Sequence, residues 1–150
     1  MALEELYREV ILDHYRSPRN RGALADANAR ADGNNPLCGD EIHLDLMIAD
    51  GVITDVGTVG QGCSISQSSA SMMTDAIKGK RLEEVRDITA KFKGMMNIDS
   101  GQDPELDSER PGSVLGDLEA LQGVRKFPVR IKCANLAWTT LEEALLTATG

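Results

Sequence analysis

Residues 38–63, CGDEIHLDLMIADGVITDVGTVGQGC, decide the fold. Ile42, Leu44, Leu46 and Ile48 alternate with Glu41, His43 and Asp45, the period of a strand with one buried face. Asp50-Gly51 is a preferred tight-turn pair, and Val52, Thr54, Val56 and Thr58 give the returning strand its β-branched residues. Glu41 to Gly60 therefore reads as an antiparallel hairpin. Its open end carries Cys38 and Asp40 on one side and Cys63 on the other, so the pairing itself brings the three together.

A third cysteine, Cys133, lies far along the chain. Three thiols make a poor disulfide framework, but three thiolates and one carboxylate make a complete tetrahedral ligand set. Gly39, between Cys38 and Asp40, permits a bend that turns both side chains toward one ion. Buried apolar thiols are the plain alternative. Thiolate is also a nucleophile, so the same group suits structural, catalytic or carrier chemistry.

Working outward, residues 2 to about 16 read as a helix with Leu3, Leu6, Val10, Ile11 and Tyr15 on one face, closed by Pro18. Residues 17–37 are rich in Arg, Asn, Gly and Ala and read as an irregular excursion that delivers Cys38. Ser64 to Lys78 reads as a closely packed helix ending at Gly79, with Cys63 at its N-terminus, where amide dipoles favour a thiolate. A further helix is expected from Leu82 to about Met96. Residues 97–113, acidic and polar, read as a loop-rich insert, either a functional loop or a mobile one. Residues 114–126 suggest a short helix. Pro128 to about Thr147 suggests a helix with Pro in its first turn and Cys133 close to its start. The fold expected is a single α+β domain over residues 1–150, a small antiparallel sheet of about three strands with helices packed on one face.

The chain has 150 residues, a net charge of −8 and only 3% aromatic residues, so its core is aliphatic. The acidic balance argues against nucleic acid or an anionic membrane as partner. The first twenty residues carry charges throughout, and no apolar run reaches membrane-spanning length. The expected location is the cytoplasm, where thiols stay reduced.

Other residues invite a functional reading less strongly. His14 suits ordering the loop that follows it, and His43 shares strand parity with Glu41 and Asp45 on the outer face. Ser66 to Ser71 lack the pattern of a nucleophilic serine and read as packing residues. The pairs Met72-Met73 and Met95-Met96 read as core filler. Lys132 reads as an exposed cation, since a protonated amine binds no zinc.

Four blocks together carry a resemblance. YREVILDHYRSPRNRG (7–22), CGDEIHLDL (38–46), GCSISQSSASMMTDAIKGK (62–80) and RIKCANLAW (130–138) resemble the signature segments of the IscU/SufU family of iron–sulfur assembly proteins. The resemblance extends over nearly the whole chain and includes the family's cysteine in each block and its Asp after the first. Lys132 stands where IscU-type scaffolds have His. The 97–113 insert resembles the extra segment of about twenty residues in the SufU-type branch. The resemblance implies Zn²⁺ held by Cys38, Asp40, Cys63 and Cys133. It also implies a sulfurtransferase role beside a pyridoxal-phosphate cysteine desulfurase, SufS. Cys38 takes the sulfur as a persulfide after a desulfurase His replaces it on zinc, and the Suf scaffold complex lies downstream. Arg130 is then expected to steer the freed Cys38 thiolate or to pair with Asp40, against the plain reading of a solvated cation. Two alternatives stay open: an IscU-like scaffold building a [2Fe-2S] cluster on the same ligands, and a structural zinc adaptor that activates the desulfurase allosterically.

Overall fold

The computed structural model describes residues 3–37, 39–98, 103–107 and 109–148. The elements run α1 (Leu3–Arg16), β1 (Ala29–Asn35), β2 (Asp40–Ala49), β3 (Val52–Gln61), α2 (Ser64–Ile77), α3 (Leu82–Met95), a 3₁₀ segment (Gly116–Lys126) and α4 (Pro128–Thr147). The strands form one antiparallel sheet in the order β1-β2-β3.

The hairpin forms as its sequence dictates. Asp50 and Gly51 both have positive φ, at 52° and 74°, the backbone a tight hairpin turn requires. Ile42, Leu44 and Leu46 point inward and are buried. A register shift at Met47/Ile48 breaks strict alternation, so Ile53 and Val56, three positions apart, both enter the core while Thr54 is exposed. Each fully buried Leu or Ile contributes about 1.5–3 kcal/mol over leaving it in water.

β1 corrects the expectation of an irregular 17–37. Its sequence, ARADGNN, has no β-branched or aromatic residue and so carries no strand signal. It is a strand because β2 offers it a row of backbone partners, from Ala29 opposite Leu46 to Asn35 opposite Asp40. Gly33 lies under α4, where a Cβ would sit 2.1 Å from Thr140 Oγ1.

α2 and α4 pack against the inner face of the sheet, and α1 and the 3₁₀ segment cover them from outside. Met72, Met73, Met95 and Met96 are all buried in this core. Phe92 of α3 stacks on Trp138 of α4, ring centroids 4.4 Å apart. The other face of the sheet is crossed by residues 20–28. Gly22 N–H donates to Thr58 O, and Leu24 N–H donates to the Asp45 carboxylate. Asp45 is thus buried, where strand parity alone places it at an open surface.

The expected short helix at 114–126 is a 3₁₀ segment beginning at Gly116. Its buried Glu119 carboxylate accepts the backbone N–H groups of Gly112, Val114 and Leu115, which fixes the end of the 97–113 segment. Residues 103–107 have no regular structure, while 99–102 and 108 of the expected insert lie outside the described residues.

Candidate metal centre

Asp40 is the first residue of β2, and Glu41 pairs with Gln61 near the end of β3. The chain needs only Gly62 to pass from there to Cys63, the N-cap of α2. Cys63 N–H donates to Asp40 Oδ1 at 2.9 Å, and Cys63 Sγ lies 3.9 Å from Asp40 Oδ2. Gly62 makes this approach possible. Its φ is +153°, and a Cβ there would sit 2.3 Å from Asp40 Oδ1 and 2.7 Å from Ser66 Oγ.

Cys133 arrives from α4 and is fully buried. Its sulfur takes a 3.9 Å contact from the Asn35 side-chain amide at the end of β1, and it lies 3.9 Å from Val129 O, one turn back. Asn35 therefore joins the sheet edge to the α4 thiol. One oxygen of Asp40 and the sulfurs of Cys63 and Cys133 all lie within 4.8 Å of one another. Among the described residues this is the one group of three or more Asp, Glu, His or Cys side chains so arranged.

The donor chemistry fits Zn²⁺. Ligand atoms about 2.1–2.3 Å from one tetrahedral ion are roughly 3.6–3.8 Å apart, close to the 3.9 Å between Cys63 Sγ and Asp40 Oδ2. Two thiols and a carboxylate could supply three of its four donors. Cys38, the fourth expected ligand, lies outside the described residues. Its neighbours Leu37 and Gly39 are both exposed, and Gly39 has φ +69°, as the expected bend requires.

Arg130, one turn before Cys133 on α4, has its guanidinium against both described thiols. Coulombic attraction to Cys63 is the largest cause raising its pKa, followed by a hydrogen bond to Cys133. Cys63 and Cys133 are thus among its partners.

The histidines go elsewhere. His14 is buried, with Nδ1 2.8 Å from Ser71 Oγ and Nε2 2.8 Å from Asp117, tying α1 to α2 and to the 3₁₀ segment. His43 lies between two carboxylates, with Nδ1 2.7 Å from Asp32 and Nε2 2.8 Å from Asp45. The hydrogen bond to Asp32 is the first cause raising its pKa. The α2 serines are fasteners rather than nucleophiles: Ser66 donates to Cys63 O, Ser68 to Ile11 O and Ser69 to Ala134 O. Lys132 is exposed.

Sequence reasoning missed Gly62 and Asn35. A Gly-x-Gly-Cys run after a strand signals the first in principle, since Gly60 and Gly62 flank the approach of β3 to Asp40. Asn35, read as part of the irregular 17–37 stretch, gives no such signal.

The family model described as NifU-like N terminal domain matches residues 6–134. The zinc-dependent sulfurtransferase SufU of Bacillus subtilis strain 168 is 48% identical over 148 residues, covering 99% of this chain and 95% of that one. The iron-sulfur cluster assembly scaffold protein IscU of Streptococcus pyogenes serotype M1 is 42% identical over 143 residues, covering 95% and 84%. The crystal structure of a SUF-system protein from the thermophilic Fervidobacterium islandicum AW-1 superposes with a TM-score of 0.80 at 32% identity, covering 96% of this chain and 99% of that chain.

Proposed function

From the premise that the chain belongs to the NifU-like N-terminal domain family of iron–sulfur cluster assembly proteins, in its SufU-type branch, we propose that it is a zinc-dependent sulfur carrier. It receives sulfur from a cysteine desulfurase on Cys38 and passes it to a downstream Suf assembly complex. The observation that carries this reading is the convergence of Asp40, Cys63 and Cys133 within 4.8 Å at the mouth of the hairpin. The name of the Bacillus subtilis relative, a zinc-dependent sulfurtransferase, supports the same chemistry.

Asp40, Cys63 and Cys133 would hold the ion together with Cys38. When bound, Zn²⁺ supplies the positive charge that keeps its sulfur ligands deprotonated at neutral pH. The chain's own residues divide the remaining work. Cys63 is held at a helix N-cap and Cys133 within a helix, so neither moves easily. Leu37 and Gly39, the residues on either side of Cys38 in the sequence, are exposed. The Cys38 thiolate attacks the outer sulfur of the desulfurase persulfide. A new S–S bond forms on Cys38, the donor's S–S bond breaks, and the desulfurase leaves as thiolate with the electron pair. Arg130 sets a fixed cation against Cys63 and Cys133 and offsets their negative charge while Cys38 is engaged.

Cys38→Ala tests this: stimulation of the desulfurase under reducing turnover should vanish while the fold is kept. Retained stimulation would leave the allosteric zinc adaptor. Metal analysis of protein purified without chelator should give about one zinc per chain. The 42% identity to a protein named IscU favours one further reading, assembly of a [2Fe-2S] cluster on the same ligands, and an iron-loaded, coloured product would establish it.

A further inference from the structure

We propose that Ser69 is a positioning residue of the metal centre, setting the spacing between the Cys63 helix and the Cys133 helix. The inference rests on the metal reading above and goes beyond it, because Ser69 touches no ligand atom. Ser69 is fully buried, six positions after the Cys63 N-cap on α2. Its hydroxyl donates to Ala134 O at 2.6 Å and accepts the Trp138 indole N–H at 3.2 Å. The Ala134 carbonyl belongs to the residue immediately after Cys133. One hydroxyl thus joins two adjacent turns of α4 to the body of α2.

The other buried serines of α2 do not do this. Ser66 bonds back to its own helix, Ser68 donates to Ile11 O of α1, and Ser71 meets His14 of α1. Among the described residues, Ser69 is the one serine hydroxyl of α2 with a hydrogen bond to α4. A serine hydroxyl within a helix usually bonds to its own preceding turn. Here it crosses to the neighbouring helix and receives a hydrogen bond in return, so its donor and one acceptor site are both used. Cys63 and Cys133 share no strand or turn, and their sulfurs meet because two helices keep a fixed offset. Groups outside the ligand set that orient ligands typically change metal affinity about 10–100-fold when removed.

The test compares Ser69→Ala with Ser68→Ala, a matched loss of one buried hydroxyl on the same helix, tied to α1 instead of α4. Each full-length variant is first checked for a cooperative urea transition, then titrated with Co²⁺ and read by its thiolate charge-transfer and ligand-field bands. Ser69→Ala should bind Co²⁺ about tenfold more weakly, with shifted ligand-field bands, and Ser68→Ala should match the parent. Equal behaviour of the two variants overturns the proposal.

A second arm needs no metal. In metal-free protein carrying Cys38→Ala, treated with an added azo-type thiol oxidant that takes up the two electrons and two protons as it is reduced to the hydrazine, formation of a Cys63–Cys133 disulfide should be slowed several-fold by Ser69→Ala and unchanged by Ser68→Ala. Equal rates in the two variants overturn the proposal in this arm as well. If the parent shows no cobalt–thiolate band at all, the metal reading falls, and the disulfide rates still decide the role of Ser69.

Discussion

Replacing Gly62 by Ala should dismantle the metal centre while sparing the fold. The added Cβ would stand 2.3 Å from Asp40 Oδ1, 2.7 Å from Ser66 Oγ and 3.0 Å from Asp40 Cα. Ordinary contact needs roughly 3.5 Å, so the carboxylate oxygen must retreat by about 1 Å. Its 2.9 Å hydrogen bond from Cys63 N–H then stretches beyond useful length. A hydrogen bond to a charged group contributes about 1.5–3 kcal/mol, which corresponds to roughly 10–100-fold in affinity for an ion that Asp40 helps to hold. The assay is competition for Zn²⁺ against a chromophoric chelator. Gly51→Ala is the control, because Gly51 also has positive φ, at 74°, but nothing within 4 Å of its Cβ position. It should lose stability through backbone strain and keep zinc affinity. Unchanged affinity in Gly62→Ala would falsify the geometry drawn for Asp40 and Cys63.

Further outcomes follow from other contacts. His14→Ala should lower stability to urea by about 2–4 kcal/mol, through loss of buried hydrogen bonds and volume, yet leave about one zinc per chain, since His14 binds Ser71 and Asp117 rather than metal. His43 has a raised pKa in the fold, so its contribution is fully present below its unfolded value near about 6.5 and is lost as pH rises through the folded value. The urea midpoint should therefore fall between pH 6 and pH 8, and His43→Gln should flatten that part of the profile; an unchanged slope would rule His43 out as its source. Lys132→His should raise iron retention, measured by absorbance and iron content, if the missing imidazole is what bars cluster binding. No change would place the difference in the insert or in zinc affinity.

The part of the site on the hairpin was legible because a period-two pattern and an Asp-Gly turn are local signals. They place Asp40 and Cys63 together with no tertiary information, and the structure has them 3.9 Å apart. Cys133 was legible only as chemistry, a third thiol lacking a disulfide partner. Its arrival depends on the packing of α4 against α2 and β1, which no local pattern encodes. β1 was invisible for the opposite reason: its residues are poor strand formers, and β2 imposes the conformation on them. Asp45 shows the limit of parity. Alternation assigns it to the outer face, but the loop 20–28 covers that face and turns a surface carboxylate into a buried acceptor for Leu24 N–H, Arg30 and His43. Arg130 was expected at the site only through the family resemblance. Its contact with Cys63 as well, from a different helix, is tertiary information.

If Cys38 carries sulfur while Asp40, Cys63 and Cys133 keep the metal, peptide mass mapping of the zinc-loaded chain after incubation with a cysteine desulfurase and free cysteine should show it. One added sulfur is expected on the Cys38 peptide, with zinc retained. Sulfur on Cys63 or Cys133, or transfer that persists in Cys38→Ala, would contradict it.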